Sequence, residues 1–515
     1  MENHVICVPF PAQGHIRPML KLAKLLHFKF NFNITFVNTH HIHQTLFKNH
    51  HTCSENNKTP FFRFESLRPE GVSDNDPKDI LSVINDVVTN KLELPLKELL
   101  MSNLRTSNNI NSNNNSNYSR PRISCMISDV AMSSFTLRVA EEFGIPAVLF
   151  ETASACSLLA YFHFRQLLDK GIIPPLQGGV NIVPTMGDGD EIRPFPLKSL
   201  DESCETNGYL EKTIDWIPSL KGICLRDMPT FIRTTIDPND LMLNIVMLNA
   251  QRALNSRALI INTFDVLEQD VLKELSTINP NIYPIGPLNL LVDYHISKND
   301  TISICDEGDE EDHEYMKWLD TQEPNSVLYI SFGTIECVNQ EKIIEIAWGL
   351  ANSLSKFLWV VISDQVTGEL NCREFNRFEE EIKGRGVLVD WCDQESVLAH
   401  PSIGGFLTHC GWNSTIESIS YGVPMICWPL VADQVTNAWY CCNRLGIGMK
   451  MGEEVKSDDV ESMVKELMDK DNGKNMEAET MKWRKLATEV SMSSNGSSYV
   501  NLSNVVNDVI KIKQQ

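Results

Sequence analysis

The sequence predicts a parallel α/β protein built as two similar halves. Three observations predict it: short β-branched or apolar runs alternate with longer stretches of helical period, an acidic interruption follows the middle of the chain, and the alternation then starts afresh. At 515 residues the chain is long enough for two or three domains, each closing its own core. In the first half the runs 4–10, 32–39, 61–67, 123–129, 146–152 and 258–264 read as strands. The Asn/Ser-rich stretch 107–119 has too little apolar surface to bury and reads as a mobile surface loop. PIGP at 284–287 is a turn signal, and 288–314, ending in the acidic run DEGDEEDHE, reads as a linker. Strands resume at 327–333, 357–362, 386–391, 404–409 and 424–429. Apolar residues at helical spacing over 498–512 predict a terminal helix. The expected organisation is a first Rossmann-like domain over 1–287, the linker 288–314, a second over 315–490, and a helical segment over 491–515 that returns to the first domain. Two open sheets joined in this way imply a cleft, with ligands held at the carboxyl ends of strands.

Composition sets limits on function. Hydrophobic residues at 42% and charged residues at 22% are those of a soluble globular protein, so disorder and fibrous repeats are excluded. A net charge of −22, with no basic cluster against it, repels nucleic-acid phosphates and anionic lipid. A small anionic ligand is still admissible, because it answers to the local field of a helix start. The 14 cysteines contain no CxxC pair, and several lie inside apolar runs, so they read as small buried hydrophobes. MENHVICVPF reads as a strand entering a turn, not a secretory leader, and no run of 18 apolar residues suggests a membrane span. The sequon Asn413-Ser414-Thr415 lies in a segment where glycosylation would be harmful, which adds to the expectation of a cytoplasmic protein.

The stretch 391–434, WCDQESVLAHPSIGGFLTHCGWNSTIESISYGVPMICWPLVADQ, carries the most chemistry. GGFLTH ends a strand at His409, a small turn follows, and STIESIS starts a helix with Ser414 at a capping position and Glu417 three residues on, the spacing of a capping box. Amides at a helix start, with the positive end of the dipole, suit a phosphate, and His409, Asn413 and Ser414 add donors. The same residues equally suit an ordinary helix cap beside a core histidine.

Over its whole length this segment resembles the plant secondary product glycosyltransferase box of the UDP-dependent glycosyltransferases, an inverting family with the GT-B fold of two Rossmann-like domains facing across a cleft. The resemblance implies that Trp391 stacks on uracil with Cys392 and Gln394 beside it. Glu417 takes the ribose hydroxyls, and Trp412, Asp433 and Gln434 hold the sugar. Glutamine at 434 resembles glucose-using members more than galactose-using ones, which often carry histidine. Asp393 departs from the family, where most members have proline, so a modest change in donor-loop rigidity is expected. Upstream, SFGT resembles the family's turn after the first strand of the second domain, with Gly333 allowing close approach and Thr334 donating to a phosphate.

The acceptor half must supply a base, and histidine is the residue best matched in pKa. In PFPAQGHIRPML the resemblance makes His15 that base, and Asp129, ending ISCMISD, the carboxylate on its far ring nitrogen. By themselves His15 and Asp129 read as readily as helix caps. Thr152 in LFETASA resembles the threonine that reaches the donor sugar. The implied mechanism is one in-line displacement with inversion, with UDP-glucose as co-substrate and no metal, since no DxD-type ligand set is apparent and HHIH at 40–43 reads as a solvated loop. NGYLEKTIDWIPSLKGICLRDMP, INTFDVLE and NIYPIGPL extend the resemblance over nearly the whole chain. They resemble the subgroup acting on cyanohydrins, iridoids and other terpenoids, with an apolar acceptor pocket expected from loops near 70–95, 150–165 and 195–230. The protein is expected to act as a monomer on a UDP-sugar and a small molecule. A nicotinamide oxidoreductase is disfavoured by the lack of GxGxxG after the first strand, and a glycoside hydrolase by the lack of a second carboxylate. A non-catalytic binder would have no use for His15 and Asp129.

Overall fold

The computed structural model describes residues 3–47, 61–69, 87, 90–108, 122–173, 208–232, 240–297, 300, 302, 314–333, 340–361, 372–469 and 473–511. Thr334 lies outside them, as do 109–119 of the expected loop and 70–86, 88–89 and 195–207 of the expected acceptor stretches. The chain divides into two compact units: Met1–Leu225 with Thr230–Asp306 and Val490–Gln515, and Arg226–Pro229 with Glu307–Glu489.

The first unit is built on β1 His4–Val8, β2 Asn33–Thr39, β3 Phe62–Leu67, β4 Ile123–Asp129 and β5 Ala147–Glu151. A short antiparallel pair, β6 Thr213–Ile214 and β7 Ile223–Cys224, precedes β8 Leu259–Ile261 and β9 Ile282–Pro284. Seven of these strands form one parallel sheet in the order β3-β2-β1-β4-β5-β8-β9. Residues of β1, β2 and β4 are buried on both faces, which explains their unbroken apolar character. Alternate positions serve different cores. Val5 and Cys7 join a cluster with Leu22 and Leu26, while Ile6 and Val8 join Leu96, Phe135 and Val139 on the other face.

The terminal helix Ser497–Val505 packs Leu502 and Val505 into the first of those cores, followed by Val506 and Ile510. Full burial of such a side chain contributes about 1.5–3 kcal/mol. Ser498 Oγ and Asn501 Nδ2 donate to the carbonyls of Gly286 and Pro284, 2.5 and 3.0 Å away.

The second unit carries β10 Val327–Ser331, β11 Lys356–Val360, β12 Gly386–Val389, β13 Ile403–Thr408, β14 Met425–Cys427 and β15 Gly448–Lys450. They form a six-stranded parallel sheet ordered β12-β11-β10-β13-β14-β15. In both sheets the first strand sits beside the second on one side and the fourth on the other. The order in which strands are added reverses there, all of them still parallel, and α/β folds bind ligands at that point.

Three expectations need correction. Positions 40–43 lie in the helix His40–Phe47, not a loop, and NTHH continues β2 directly into that helix. Within the expected linker, Leu288–His295 is a helix of the first unit, because Leu288 and Leu291 have an apolar cluster to enter. The strands β6, β7, β9 and β15 were not anticipated. The first two have two residues each and the others are edge strands of three, all too short to show a pattern, and the proline of β9 is tolerated at an edge.

Candidate active site

In the first unit, residues after three neighbouring strands come together. Beyond β1 the chain turns through Pro9–Ala12 into the helix Gln13–Lys24, which places His15 in its first turn, uncapped by any side chain. Asp129 ends β4, and Thr152 follows β5. His15 Nδ1 lies 2.8 Å from Asp129 Oδ2 and 2.8 Å from Thr152 Oγ1. The His15 side chain is 32% exposed and that of Asp129 only 2%, so the imidazole is open to its surroundings while its partner is not. Phe10 packs edge-on against the imidazole with ring centroids 5.0 Å apart. Asp129 Oδ1 accepts the Ala131 N–H at 2.8 Å, capping the short turn Val130–Met132. The cap and the pairing with histidine, read as alternatives in the sequence, are both present, one on each oxygen.

With the Nδ1 proton directed at Asp129, Nε2 carries the lone pair that can take a proton. The carboxylate also stabilises the imidazolium that forms when it does. Chemically, such an arrangement can serve as a general base.

In the second unit the chemistry again lies beyond strand ends. Trp391 follows β12 with 38% of its surface exposed. Cys392 Sγ is 3.3 Å from Tyr329 Oη, and Tyr329 donates to Gln394 Oε1 at 3.3 Å. Gln394 Nε2 in turn donates to Ser414 Oγ at 2.9 Å and Glu417 Oε2 at 2.7 Å. Gln394 therefore ties the helix Gln394–Ala399 to the helix Trp412–Tyr421. Burial pushes the Tyr329 hydroxyl well above the ordinary value, so it stays protonated and remains a donor.

The helix Trp412–Tyr421 begins two residues before the expected start. Gly411 is its N-cap and no side chain caps it, so Ser414 is not the cap but a first-turn residue bonded to Gln394. Cys410 at φ 63° turns the chain between strand and helix. His409, just beyond β13, is held between two glycines: a Cβ on Gly333 would lie 2.7 Å from its Nε2, and one on Gly411 2.5 Å. Burial lowers its pKa to about 4 against an opposing Ser331 backbone contact, so at neutral pH it is an uncharged imidazole.

After β14, Gln434 Oε1 accepts the N–H groups of Leu430 and Val431 at 2.8 and 3.0 Å, which orients its amide nitrogen as the group to offer a ligand. Asp433 Oδ2 accepts from Asn437 Nδ2 at 2.9 Å, and that nitrogen also reaches the Cys410 carbonyl at 3.1 Å. Asn437 and Tyr329 were missed in the sequence, where a strand tyrosine and a helix asparagine give no signal of their own. Trp412 and Ser414 are buried at the helix start with Asn413 between them. Among the described residues, no group of three His, Cys, Asp or Glu side chains is placed to hold a metal, and no helix is long and apolar enough to cross a membrane.

Comparison with known proteins places the chain in a family. Residues 238–486 match the family model described as UDP-glucoronosyl and UDP-glucosyl transferase. The 7-deoxyloganetin glucosyltransferase of Catharanthus roseus is 44% identical over 99% of this chain and 97% of its own length. The (R)-mandelonitrile beta-glucosyltransferase of Prunus dulcis is 43% identical over 99% and 97%. Among solved structures, Phytolacca americana UGT2 complexed with UDP-2fluoro-glucose and pterostilbene superposes with a TM-score of 0.72 at 27% identity, covering 99% of this chain and 100% of the other.

Proposed function

The chain belongs to the UDP-glucoronosyl and UDP-glucosyl transferase family, and from that premise we propose that it transfers glucose from UDP-glucose, with inversion, to a hydroxyl of a small apolar plant metabolite. It is a UDP-glycosyltransferase of the GT-B fold, with a UDP-sugar and an acceptor as its substrates. The acceptor is an iridoid or other terpenoid aglycone, or a cyanohydrin. That class is supported by relatives named for 7-deoxyloganetin and (R)-mandelonitrile.

The 2.8 Å pairing of His15 Nδ1 with Asp129 Oδ2 carries the reading, because a sugar-nucleotide binder needs no base. His15 Nε2 removes the acceptor hydroxyl proton as the oxygen attacks the anomeric carbon opposite the departing UDP, so an α-linked donor gives a β-glucoside. Such a base contributes about 10²–10⁴ in rate. In the second unit, Trp391 stacks on the uracil, Cys392 and Gln394 sit beside it, and Glu417 binds the ribose. Thr334 and the first amides of the helix Trp412–Tyr421 take the diphosphate together with His409, Asn413 and Ser414. Trp412, Asp433 and Gln434 hold the glucose. Transfer as a monomer and a cytoplasmic site complete the proposal; the nine described cysteines, all unbridged, fit a reducing compartment.

The test is incubation of purified protein with UDP-glucose and a panel of cyanohydrins, iridoid aglycones, other terpenoid alcohols and phenols, following UDP release and product mass. A gain of one hexose on an iridoid, terpenoid or cyanohydrin supports the reading. Transfer to phenols alone overturns the acceptor class, and tight UDP-glucose binding with no transfer to any member overturns the transferase.

A further inference from the structure

Glu268 is a fully buried carboxylate more than a hundred residues away in sequence from the groups it holds. Its two oxygens accept the first two N–H groups of the helix Ala155–Asp169: Oε2 from Ala155 at 3.0 Å and Oε1 from Cys156 at 2.7 Å. The third, Ser157 N–H, goes to the side chain of the local cap Ser154 at 3.0 Å. On the strand side, Glu151 Oε1 accepts the Ala153 N–H at 3.0 Å. The three-residue turn between β5 and this helix is therefore fastened at both ends, and Thr152 is its first residue.

A serine cap alone suffices to start a helix. Burying a charge is costly unless it is hydrogen-bonded, and burial holds the Glu268 carboxyl above the usual carboxylate range even though the amides of Ala155 and Cys156 at the positive end of the helix pull it down. A carboxylate brought from the segment after β8 adds what the local cap cannot: it fixes the helix start to a different part of the sheet. The side chain so fixed is Thr152, whose Oγ1 lies 2.8 Å from His15 Nδ1. There it gives the imidazolium formed on proton abstraction a second acceptor beside Asp129.

We infer that Glu268 is a positioning residue for the transfer reaction: by clamping the start of the helix Ala155–Asp169 it holds the Thr152 hydroxyl on the far nitrogen of the base. This rests on His15 being that base. Loss of the clamp lets the turn shift, and small displacements of a group oriented for reaction cost rate more than binding.

The test is a double-mutant cycle on full-length protein, using UDP-glucose and a transferred acceptor, with kcat, both KM values and Tm measured. Glu268→Gln keeps the shape but turns an N–H₂ toward one of the two amides, and Thr152→Val removes the hydroxyl. Each should lower kcat about tenfold with smaller changes in KM. The double variant should be no slower than the slower single, because both break one connection. Thr152→Ser, which keeps the hydroxyl, should restore most of kcat. Losses that multiply to about a hundredfold, or a Glu268→Gln protein with lowered Tm and unchanged kcat, overturn the inference. If Glu268→Gln does not fold, Glu268→Asp, with the charge kept but drawn back, replaces it in the same cycle. His15→Ala run alongside separates the two levels. Full activity in that variant removes the base reading itself, whereas an inactive His15→Ala beside multiplying singles removes the role of Glu268 alone.

Discussion

Asp129 serves His15 and its own backbone with different oxygens, Oδ2 at 2.8 Å from His15 Nδ1 and Oδ1 at 2.8 Å from the Ala131 N–H. The two duties are separable by mutation. In Asp129→Asn the carboxamide oxygen can keep the Ala131 bond, which turns the N–H₂ toward His15. The imidazole then presents its Nδ1 lone pair and carries its proton on Nε2, where the base must be empty. Asp129→Ala loses both contacts. Both variants should therefore lose about 10²–10⁴ in kcat, whereas only Asp129→Ala should also lose about 1 kcal/mol of stability through the missing cap. Steady-state kinetics beside urea unfolding checks this, and equal stability losses would show that the cap is energetically idle.

The two glycines around His409 differ in a way that gives them different mutant signatures. Gly411 has φ −57°, open to any residue, so Gly411→Ala suffers only from its Cβ meeting His409 Nε2 at 2.5 Å. Gly333 has φ +74° in addition to a Cβ position 2.7 Å from the same atom. Gly411→Ala should displace the imidazole and weaken UDP binding about 10–100-fold, an order typical of losing a charge-stabilising donor. Gly333→Ala should also cost about 1–3 kcal/mol in backbone strain. Calorimetric titration with UDP and thermal unfolding measure the two effects separately.

His409 predicts a pH effect on stability. Its pKa in the folded protein is lowered from 6.5 to about 4, so between those values the unfolded chain binds a proton that the native state refuses. Stability then rises with pH across that window: the contribution is intact above 6.5 and is lost as pH falls toward 4. His409→Gln has no such group to titrate. The unfolding free energy of wild type should drop more steeply than that of His409→Gln between pH 7 and pH 5, and parallel curves in urea titrations at the two pH values would refute this.

How much could be read from the residues alone depends on how each signal is encoded. The strands β1, β2, β4 and β10 are buried on both faces, so their apolar runs stand out without reference to anything else. Asp129 and His409 could be placed at strand ends, where apolar residues give way to polar ones, but the strand ends alone left them, like His15, as readily helix caps or core groups, and their roles came from the resemblance. The start of the helix Trp412–Tyr421 was misplaced because Ser414 with Glu417 imitates a capping box, whereas the actual cap, Gly411, works through backbone shape and close approach to His409. Tyr329, Asn437 and Glu268 were invisible for another reason. Each acts through a partner 27 to 113 residues distant, a relation that exists only once the chain is folded.

Asp393 stands where the resemblance leads one to expect proline. Its φ of −75° lies within the range a proline ring imposes, so the backbone already has the shape proline would fix. A proline there would remove the Asp393 N–H, which donates to Tyr315 Oη at 3.2 Å, and the carboxylate that accepts from Ser396 Oγ. The neutral bond contributes about 0.5–1.5 kcal/mol net and the one to the carboxylate about 1.5–3 kcal/mol, whereas a proline in a compatible conformation returns only about 0.4–1 kcal/mol through the unfolded chain. The loss outweighs the gain. Asp393→Pro should accordingly lower Tm by at least about 2–4 °C in a unit of this size, with kcat/KM for UDP-glucose held within about threefold, the equivalent of under 1 kcal/mol. A tenfold fall in kcat/KM at unchanged Tm would mean that the Asp393 carboxylate takes a direct part in holding the donor.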